Sequence, residues 1–277
     1  MKTPFKILTG ILITLSLPLN GLVFSDILID IDLTEEESGP AETILNTGSL
    51  EGDFEAEFDI PSIETVDGVN AVTLDGNNDW YIGPDASPLT GNTDRSVEAW
   101  VWNPSVPSEE TIFAWGRRGG PDASNFSMLY GNHPSYGALG AWGGNADMPF
   151  YPGGGAPEPN EWHHLVLTYN SQSNERSIYV DGELTNSENN GSFFDTHEFD
   201  DTGLALPMVI GNQNEPNGTR TDALSADLSI AKIKVHDTVL TESDVLDSFN
   251  LDKIKFGKGG PDIISFEASE NTIGPDE

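Results

Sequence analysis

The sequence predicts an all-β domain, a sandwich or a barrel assembled from about a dozen short strands. Three observations carry that expectation: apolar residues recur with a period of two, clusters of Gly, Pro and Asn interrupt the runs, and helical spacing is scarce. The first strand is expected over 27–33, where Ile27, Ile29, Ile31 and Leu33 alternate with Leu28, Asp30 and Asp32. Val97, Ala99 and Val101 alternate in the same way with Glu98, Trp100 and Trp102, as a half-buried strand requires. Further strands are expected over 71–74, 80–82, 111–115, 126–130, 138–142, 162–169, 176–180, 208–211 and 228–235. A parallel α/β sheet would need crossover helices, and the pattern supplies none.

One helix is expected near the end of the domain. Thr241-Glu242-Ser243-Asp244 has the form of a capping box with Asp in place of Glu, and Val245, Leu246 and Phe249 then share one face. The following stretch 253–262, KIKFGKGGPD, departs from the acidic norm and carries Gly259-Gly260-Pro261, a composition suited to a linker, so the domain is expected over 26–252. Residues 263–268 alternate again, which reads as the start of a further β module within a larger surface protein or as a floppy tail.

At the other end, Lys2 and Lys6 precede a largely apolar stretch over 7–19, shorter than the ~20 apolar residues of a membrane-spanning helix. Residues 1–25 therefore read as a signal peptide, with an uncleaved anchor as the alternative. The mature chain is expected to lack a transmembrane segment and to be exported, secreted or displayed at a cell surface. With Lys+Arg 12 against Asp+Glu 46, the formal net charge is −34. Self-repulsion of that size suits a saline, calcium-containing exterior. It also argues against nucleic acid as a partner, because phosphate binding needs clustered cations. Cysteine is absent, which excludes disulfide scaffolds and cysteine-built metal sites.

The block from Glu161 to Leu184, EWHHLVLTYNSQSNERSIYVDGEL, pairs a strand opening on Trp162-His163-His164 with a second ending on Ile178-Tyr179-Val180, and Asp181-Gly182 supplies a positive-φ turn. Upstream stand Leu74-Asp75-Gly76-Asn77-Asn78-Asp79-Trp80-Tyr81-Ile82 and Ser96-Val97-Glu98-Ala99-Trp100-Val101. Downstream come Met208-Val209-Ile210-Gly211, then 228–236 and the capped helix. In this order the pieces resemble the laminin-G-like jelly-roll domain of the concanavalin A-like lectin/glucanase superfamily, over about residues 26–252. The resemblance implies a two-sheet antiparallel β-sandwich with loops at its rim and one short C-terminal helix. It also implies a recognition or spacer role, in a superfamily that includes polysaccharide hydrolases.

Retaining glucanases of that superfamily carry E-x-D-x-E or E-x-D-x-x-E on one strand face, which sets an acid/base and a nucleophile about 5–5.5 Å apart. Glu57-Phe58-Asp59 begins such a motif but meets Pro61 and Ser62, Glu198-Phe199-Asp200 fails at Thr202 and Gly203, and Asp30-Ile31-Asp32 with Glu35 offers Asp where Glu is needed. A non-catalytic protein is therefore expected, with a hydrolase or lyase of the same fold, or a purely structural spacer, as alternatives. Calcium is the expected cofactor: Asp75, Asn77, Asn78 and Asp79 offer hard oxygens in a Gly-containing loop, although an Asx turn uses the same residues. His163 and His164 point to opposite faces of one strand and cannot share an ion. For ligand binding the candidates are Trp115, Arg117, Arg118, Tyr136, Trp142 and Tyr151, in or beside Gly/Pro-rich loops where a guanidinium fork and ring faces could grip a sugar, including an anionic glycan. Trp115 and Trp142 serve equally well as core residues. The connection over 143–160 is long enough to draw attention as a functional loop. The expected partner is a carbohydrate or surface glycoconjugate.

Overall fold

Period-two strands bury one face each, so they pair into sheets and the sheets close on one another. The computed structural model describes residues 26–259 apart from 107, 134, 136, 144 and 145; residues 1–25, read as a signal peptide, and the expected module at 263–277 lie outside the described residues. The strands are β1 (Ile27–Asp32), β2 (Gly39–Pro40), β3 (Thr43–Ile44), β4 (Phe54–Phe58), β5 (Ser62–Val66), β6 (Val69–Thr73), β7 (Asp79–Asp85), β8 (Arg95–Trp102) and β9 (Thr111–Gly116). There follow β10 (Asn125–His133), β11 (Gly137–Trp142), β12 (Met148–Pro149), β13 (Trp162–Asn170), β14 (Glu175–Val180), β15 (Glu183–Glu188), β16 (Pro207–Ile210) and β17 (Ser229–His236), and then the helix α1 (Glu242–Asp252). The first sheet runs β15-β14-β13-β8-β17-β6-β5-β2 with β1 added on β17, and the second runs β12-β11-β10-β9-β16-β7-β4-β3. Every pairing between these strands is antiparallel. Two antiparallel sheets with one C-terminal helix are the architecture the sequence predicts.

Between the sheets, Val97, Ala99 and Val101 of β8 and Leu165, Leu167 and Tyr169 of β13 belong to the same buried cluster as Phe113 and Trp115 of β9 and Phe126, Met128 and Tyr130 of β10. Arg95 is fully buried at the edge of this layer, its guanidinium 5.6 Å from the ring centres of Trp115 and Phe126 and 5.7 Å from Tyr169. Burial draws its pKa down to about 9, and its donors are met by the carbonyl oxygens of Thr93 and Gly91 and by Thr196.

The outer face of the first sheet is also covered, which the alternation in β8 does not foretell. Glu98 and Trp100 are buried there because α1 and the residues after it pack across the sheet. The capping box at Thr241 and Asp244 is present and starts the helix, whose Val245 is buried and whose Phe249 packs partly on Trp100; Leu246 does not share that face and is exposed. The stretch read as a linker does not begin at 253. Phe256 is buried and stacks on Trp100 at 4.0 Å, and Lys258 pairs with Asp181 at 3.1 Å, so the packed domain runs past residue 252. Apolar and basic residues within a Gly-rich segment dock it onto this aromatic, acidic surface.

Under the helix, Glu98 accepts from His164 (3.2 Å), His236 (3.1 Å) and Ser248 (2.6 Å). Burial alone would raise its pKa, but these hydrogen bonds overcome that and hold it well below the usual carboxylate range. A carboxylate whose pKa is depressed in the folded state stabilises the fold above its unfolded pKa of ~4.3, and that stability is lost as pH falls. Replacing Glu98 by Ala removes the acceptor shared by two buried imidazoles and Ser248 and should cost about 3 kcal/mol or more in urea unfolding at pH 7. The melting temperature should drop by roughly 6–12 °C, and the acid-side loss that Glu98 supplies to the wild type should disappear.

Candidate functional site

Two concavities contain enough polar chemistry to consider. The larger, about 720 Å³, lies between α1 and β17 over Glu98 and His236. Both Glu98 oxygens on its floor are engaged by the network just described, in which His164 Nδ1 is buried without a hydrogen-bond partner. The second, about 210 Å³, is lined by residues 117–125 with Trp142 and Gly143. It lies where β9 turns into β10 beside the end of β11.

Local backbone chemistry builds this second pocket. Gly116 ends β9 at φ +84°, and a Cβ there would sit 2.4 Å from the Ser124 carbonyl oxygen, so only glycine lets the chain turn so close to β10. The loop then carries two arginines whose charges are matched at once: Arg117 pairs with Asp201, and Arg118 Nη1 lies 3.3 Å from Glu215 Oε1. The Arg118 guanidinium also lies over the Trp142 ring, 4.9 Å from its centre.

A polar relay beneath the loop fixes the other wall. Gln213 Nε2 donates to Glu109 Oε1 (3.2 Å) and Thr111 Oγ1 (3.0 Å), which turns its Oε1 toward Asn125 Nδ2 (3.2 Å). Asn125 Nδ2 also donates to Ser127 Oγ at 2.8 Å. Both amide hydrogens of Asn125 are thereby committed, and its Oδ1 is left buried with no hydrogen-bond partner. Arg118 Nε is likewise buried and unpartnered. Burial pushes Glu109 up to about 7, against the opposing pull of Arg118. Arg118, Asn125 and Trp142 thus line one small cavity, with Arg118 Nε and Asn125 Oδ1 enclosed by protein.

The sequence-predicted ligand residues separate in the structure. Arg117, Arg118 and Trp142 come together here. Trp115 does not: it is fully buried, stacks on Phe126 at 4.3 Å and donates its indole N–H to the Leu89 carbonyl oxygen. Its place on the inner face of β9 makes it core, whereas Trp142 on β11 is only partly buried. Tyr151 lies elsewhere, packed against the core, with its pKa raised by burial and by Asp181 and Glu158. Tyr136 falls outside the described residues. Part of the 143–160 connection is structural, since Ala146, Met148 and Phe150 are core residues. Asn125, Gln213 and Glu109 went unnoticed in the sequence; the run Asn212-Gln213-Asn214, all of it buried, was the available signal.

The candidate calcium loop is folded as an Asx turn. Asp75 Oδ1 accepts from Asn77 N at 2.9 Å, Asp79 Oδ2 accepts from Asp75 N, and Asn78 N donates to Asp222 Oδ1 at 3.1 Å. Asp79 Oδ1 is the carboxylate oxygen left buried and unmet, and burial pushes Asp79 up to about 7. Among the described residues no group of three or more His, Asp or Glu side chains is arranged to hold a metal ion. His163 and His164 do face opposite ways: His163 meets Asp181 at 2.9 Å on one side, and His164 meets Glu98 on the other. Of the incomplete glucanase motifs, Glu57 has both oxygens engaged by Arg220. Asp32 is held by Thr34 and Lys232. No helix among the described residues is long and apolar enough to cross a membrane.

A family profile described as the concanavalin A-like lectin/glucanases superfamily, of laminin G type, matches residues 75–246. Among solved structures, domain 4 of an extracellular arabinanase from Geobacillus stearothermophilus, determined in complex with arabinotriose, is similar with a TM-score of 0.52 at 14% identity, over 80% of this chain and 98% of that one. The binding domain of Paraclostridial mosquitocidal protein 1 gives 0.53 at 12% identity, over 82% and 52% of the two chains. The binding domain of botulinum neurotoxin serotype D gives 0.51 at 13%, over 82% and 51%. At such identities the likeness is one of fold, and this chain spans about half the length of the two toxin domains. No curated protein matches the chain.

The two tryptophans are distinguished by substitution. Trp115→Ala should destabilise the fold by about 3–5 kcal/mol, as loss of a buried aromatic does, while Trp142→Ala should cost less than about 1.5 kcal/mol. Urea unfolding of both variants checks this, and equal losses would contradict the division between core and pocket.

Proposed function

Because this chain belongs to the laminin-G-like group of the concanavalin A-like lectin/glucanases superfamily, we propose that it is a non-catalytic carbohydrate-binding or adhesion module of an exported protein, with Arg118, Asn125 and Trp142 forming its sugar pocket. The observation that carries the proposal is a single small cavity lined by Arg118, Asn125 and the partly buried Trp142. The Trp142 ring, with Arg118 over it, supplies the aromatic part of the cavity lining. The arabinanase domain of the same fold was determined with a sugar bound, which supports the choice of ligand class.

Pocket electrostatics favour a neutral sugar. Arg117 and Arg118 already face Asp201 and Glu215, and Glu109 adds a further negative charge once pH rises past about 7. A uronate or sulfate ester should therefore bind only on the acid side, where Glu109 is neutral and Arg118 is less fully offset. The hydrolase alternative has one observation in its favour, the Glu109 carboxyl held protonated to near neutrality beside Arg118 and Asp147.

A glycan array of neutral, uronate and sulfated sugars, probed at pH 5.5 and pH 8, tests the proposal. Neutral sugars should be retained at both values and acidic ones at pH 5.5 only, and Arg118→Ala and Trp142→Ala should each weaken binding by about 10-fold. No retention at either pH would overturn the proposal. Release of reducing ends from any retained sugar would favour the hydrolase alternative.

Calcium has a separate place in this proposal. Asp79 Oδ1, a buried carboxylate oxygen without a partner, stands in a loop that does not line the pocket, so calcium at that loop would act on the fold and leave the sugar untouched. Millimolar calcium should raise the melting temperature by a few degrees relative to chelator, an effect that Asp79→Asn removes, while sugar retention is equal in both buffers. Loss of sugar binding in chelator would overturn that separation.

A further inference from the structure

Three Asn-x-Ser/Thr triplets without Pro at x occur in the chain, beginning at Asn125, Asn190 and Asn217. This triplet is the acceptor signal for N-linked sugar on exported proteins, and its structural requirement is a surface turn. Folding separates the three. Asn125-Phe126-Ser127 lies within β10, where Ser127 is fully buried and both amide hydrogens of Asn125 are committed to Ser127 and Gln213. Asn190-Gly191-Ser192 reaches the surface, but its amide is held at both ends. Asn190 Oδ1 accepts from Arg176 Nη2 (3.2 Å) and Ser192 N (3.1 Å), and its Nδ2 donates to Glu188 Oε2 (3.1 Å). Asn190 is thereby part of the anchor of the fully buried Arg176.

Asn217-Gly218-Thr219 meets the requirement. Asn217 and Thr219 are exposed, in a turn closed by Glu215 N on the Thr219 carbonyl oxygen (2.7 Å) and by Gly218 N on the Glu215 carbonyl oxygen (2.9 Å). Gly218 has φ +78°, and a Cβ there would stand 2.8 Å from Asp200 Oδ2, so the middle position is set by the turn. Asn217 Oδ1 accepts from both Thr219 N (3.2 Å) and Thr219 Oγ1 (2.7 Å). Among the described residues no acceptor takes Asn217 Nδ2.

The turn itself does not ask for an amide. The same pair of bonds recurs at Asp32 with Thr34 (3.0 and 2.6 Å) and at Asp200 with Thr202 (2.8 and 2.7 Å), where a carboxylate oxygen plays the part of Asn217 Oδ1. In a chain with Asp+Glu 46, what asparagine adds at 217 is an unengaged Nδ2 on an exposed residue beside a hydroxyl.

We propose that Asn217 is the N-linked glycosylation acceptor of this domain. This rests on the reading of the chain as exported. The co-substrate is an oligosaccharide activated as a polyprenyl diphosphate and presented by a membrane-bound transferase on the export route. Asn217 Nδ2 forms a bond to the anomeric carbon of the sugar, and the bond from that carbon to the phosphate oxygen breaks. The polyprenyl diphosphate leaves with the electron pair, and one amide proton passes to a base of the transferase. Oδ1 is retained, so the turn to Thr219 survives the modification.

The test uses the full chain, secreted with its own residues 1–25 from a cell that makes lipid-linked oligosaccharides. Peptide mass spectrometry before and after an amide-cleaving glycosidase maps the modified position. The Asn217 peptide should carry the glycan, and the glycosidase should leave an aspartate in its place. Thr219→Ser should keep the glycan, whereas Thr219→Ala and Asn217→Asp should lose it and still be secreted. Asn217→Asp has the same covalent structure as the glycosidase-treated wild type, so equal melting temperatures of the two show that the variant is folded. Secreted wild type that is bare at Asn217, with or without a glycan on Asn125 or Asn190, would overturn the proposal and leave export standing. Retention of the glycan in Thr219→Ala would also overturn it, because the hydroxyl would then have no part in acceptor choice. Failure of the wild type to leave the cell would take both readings down.

Discussion

The dry layer between the two sheets is the contact on which the rest of the domain depends. Once Val97, Leu165, Trp115, Phe126 and their neighbours are closed against one another, each sheet has a second face that must be either covered or solvated. The first sheet is covered: α1 and Phe256 lie across Trp100 and Trp162 and seal Glu98 and His164 beneath them. The second is covered by its own connections, with Gln213 and Asn214 fully buried over Thr111 and Gly116. At the margin of that covering the Arg118 loop, the end of β11 and the end of β4 come to the surface.

Scarce positive charge sharpens the division. With 12 Lys and Arg against 46 Asp and Glu, a cation is most effective where it fastens distant parts of the chain. Arg220 reaches Glu57, Arg118 reaches Glu215, and Lys255 reaches Glu35. Exposed pairs of this kind contribute at most about 1 kcal/mol each, but they hold loops in register over the sheets. Arg95 follows another route, buried among aromatic faces with carbonyl oxygens for partners. The arginines at the pocket are therefore pinned by their acidic partners, which holds Arg118 over Trp142.

Much of the fold was legible because burial on one face writes itself into a strand with period two. Strands β8, β13, β14 and β17 and the Asp181-Gly182 hairpin are visible on that ground, as is the capping box of α1. Strand β15, ELTNSE, left no such mark, because an edge strand is held through its backbone ladder and can be polar on both faces. The docking of residues 253–259 was hidden for a related reason: a short Gly-rich segment looks like a linker until the aromatic surface awaiting Phe256 is known.

Composition and pattern alone determined the class of fold, its acidic charge and the residues from which a pocket could be drawn, since each of these depends only on neighbours along the chain. Three-dimensional packing decided that Trp115 is core and Trp142 is lining, that Asn125 and Gln213 complete the site, and that Phe58 faces outward. These outcomes turn on contacts between residues such as Asn125 and Gln213, 88 positions apart. Which hydrogen bonds of an amide are already satisfied, and which side of a sheet a ring lands on, are set by partners that the local sequence does not name.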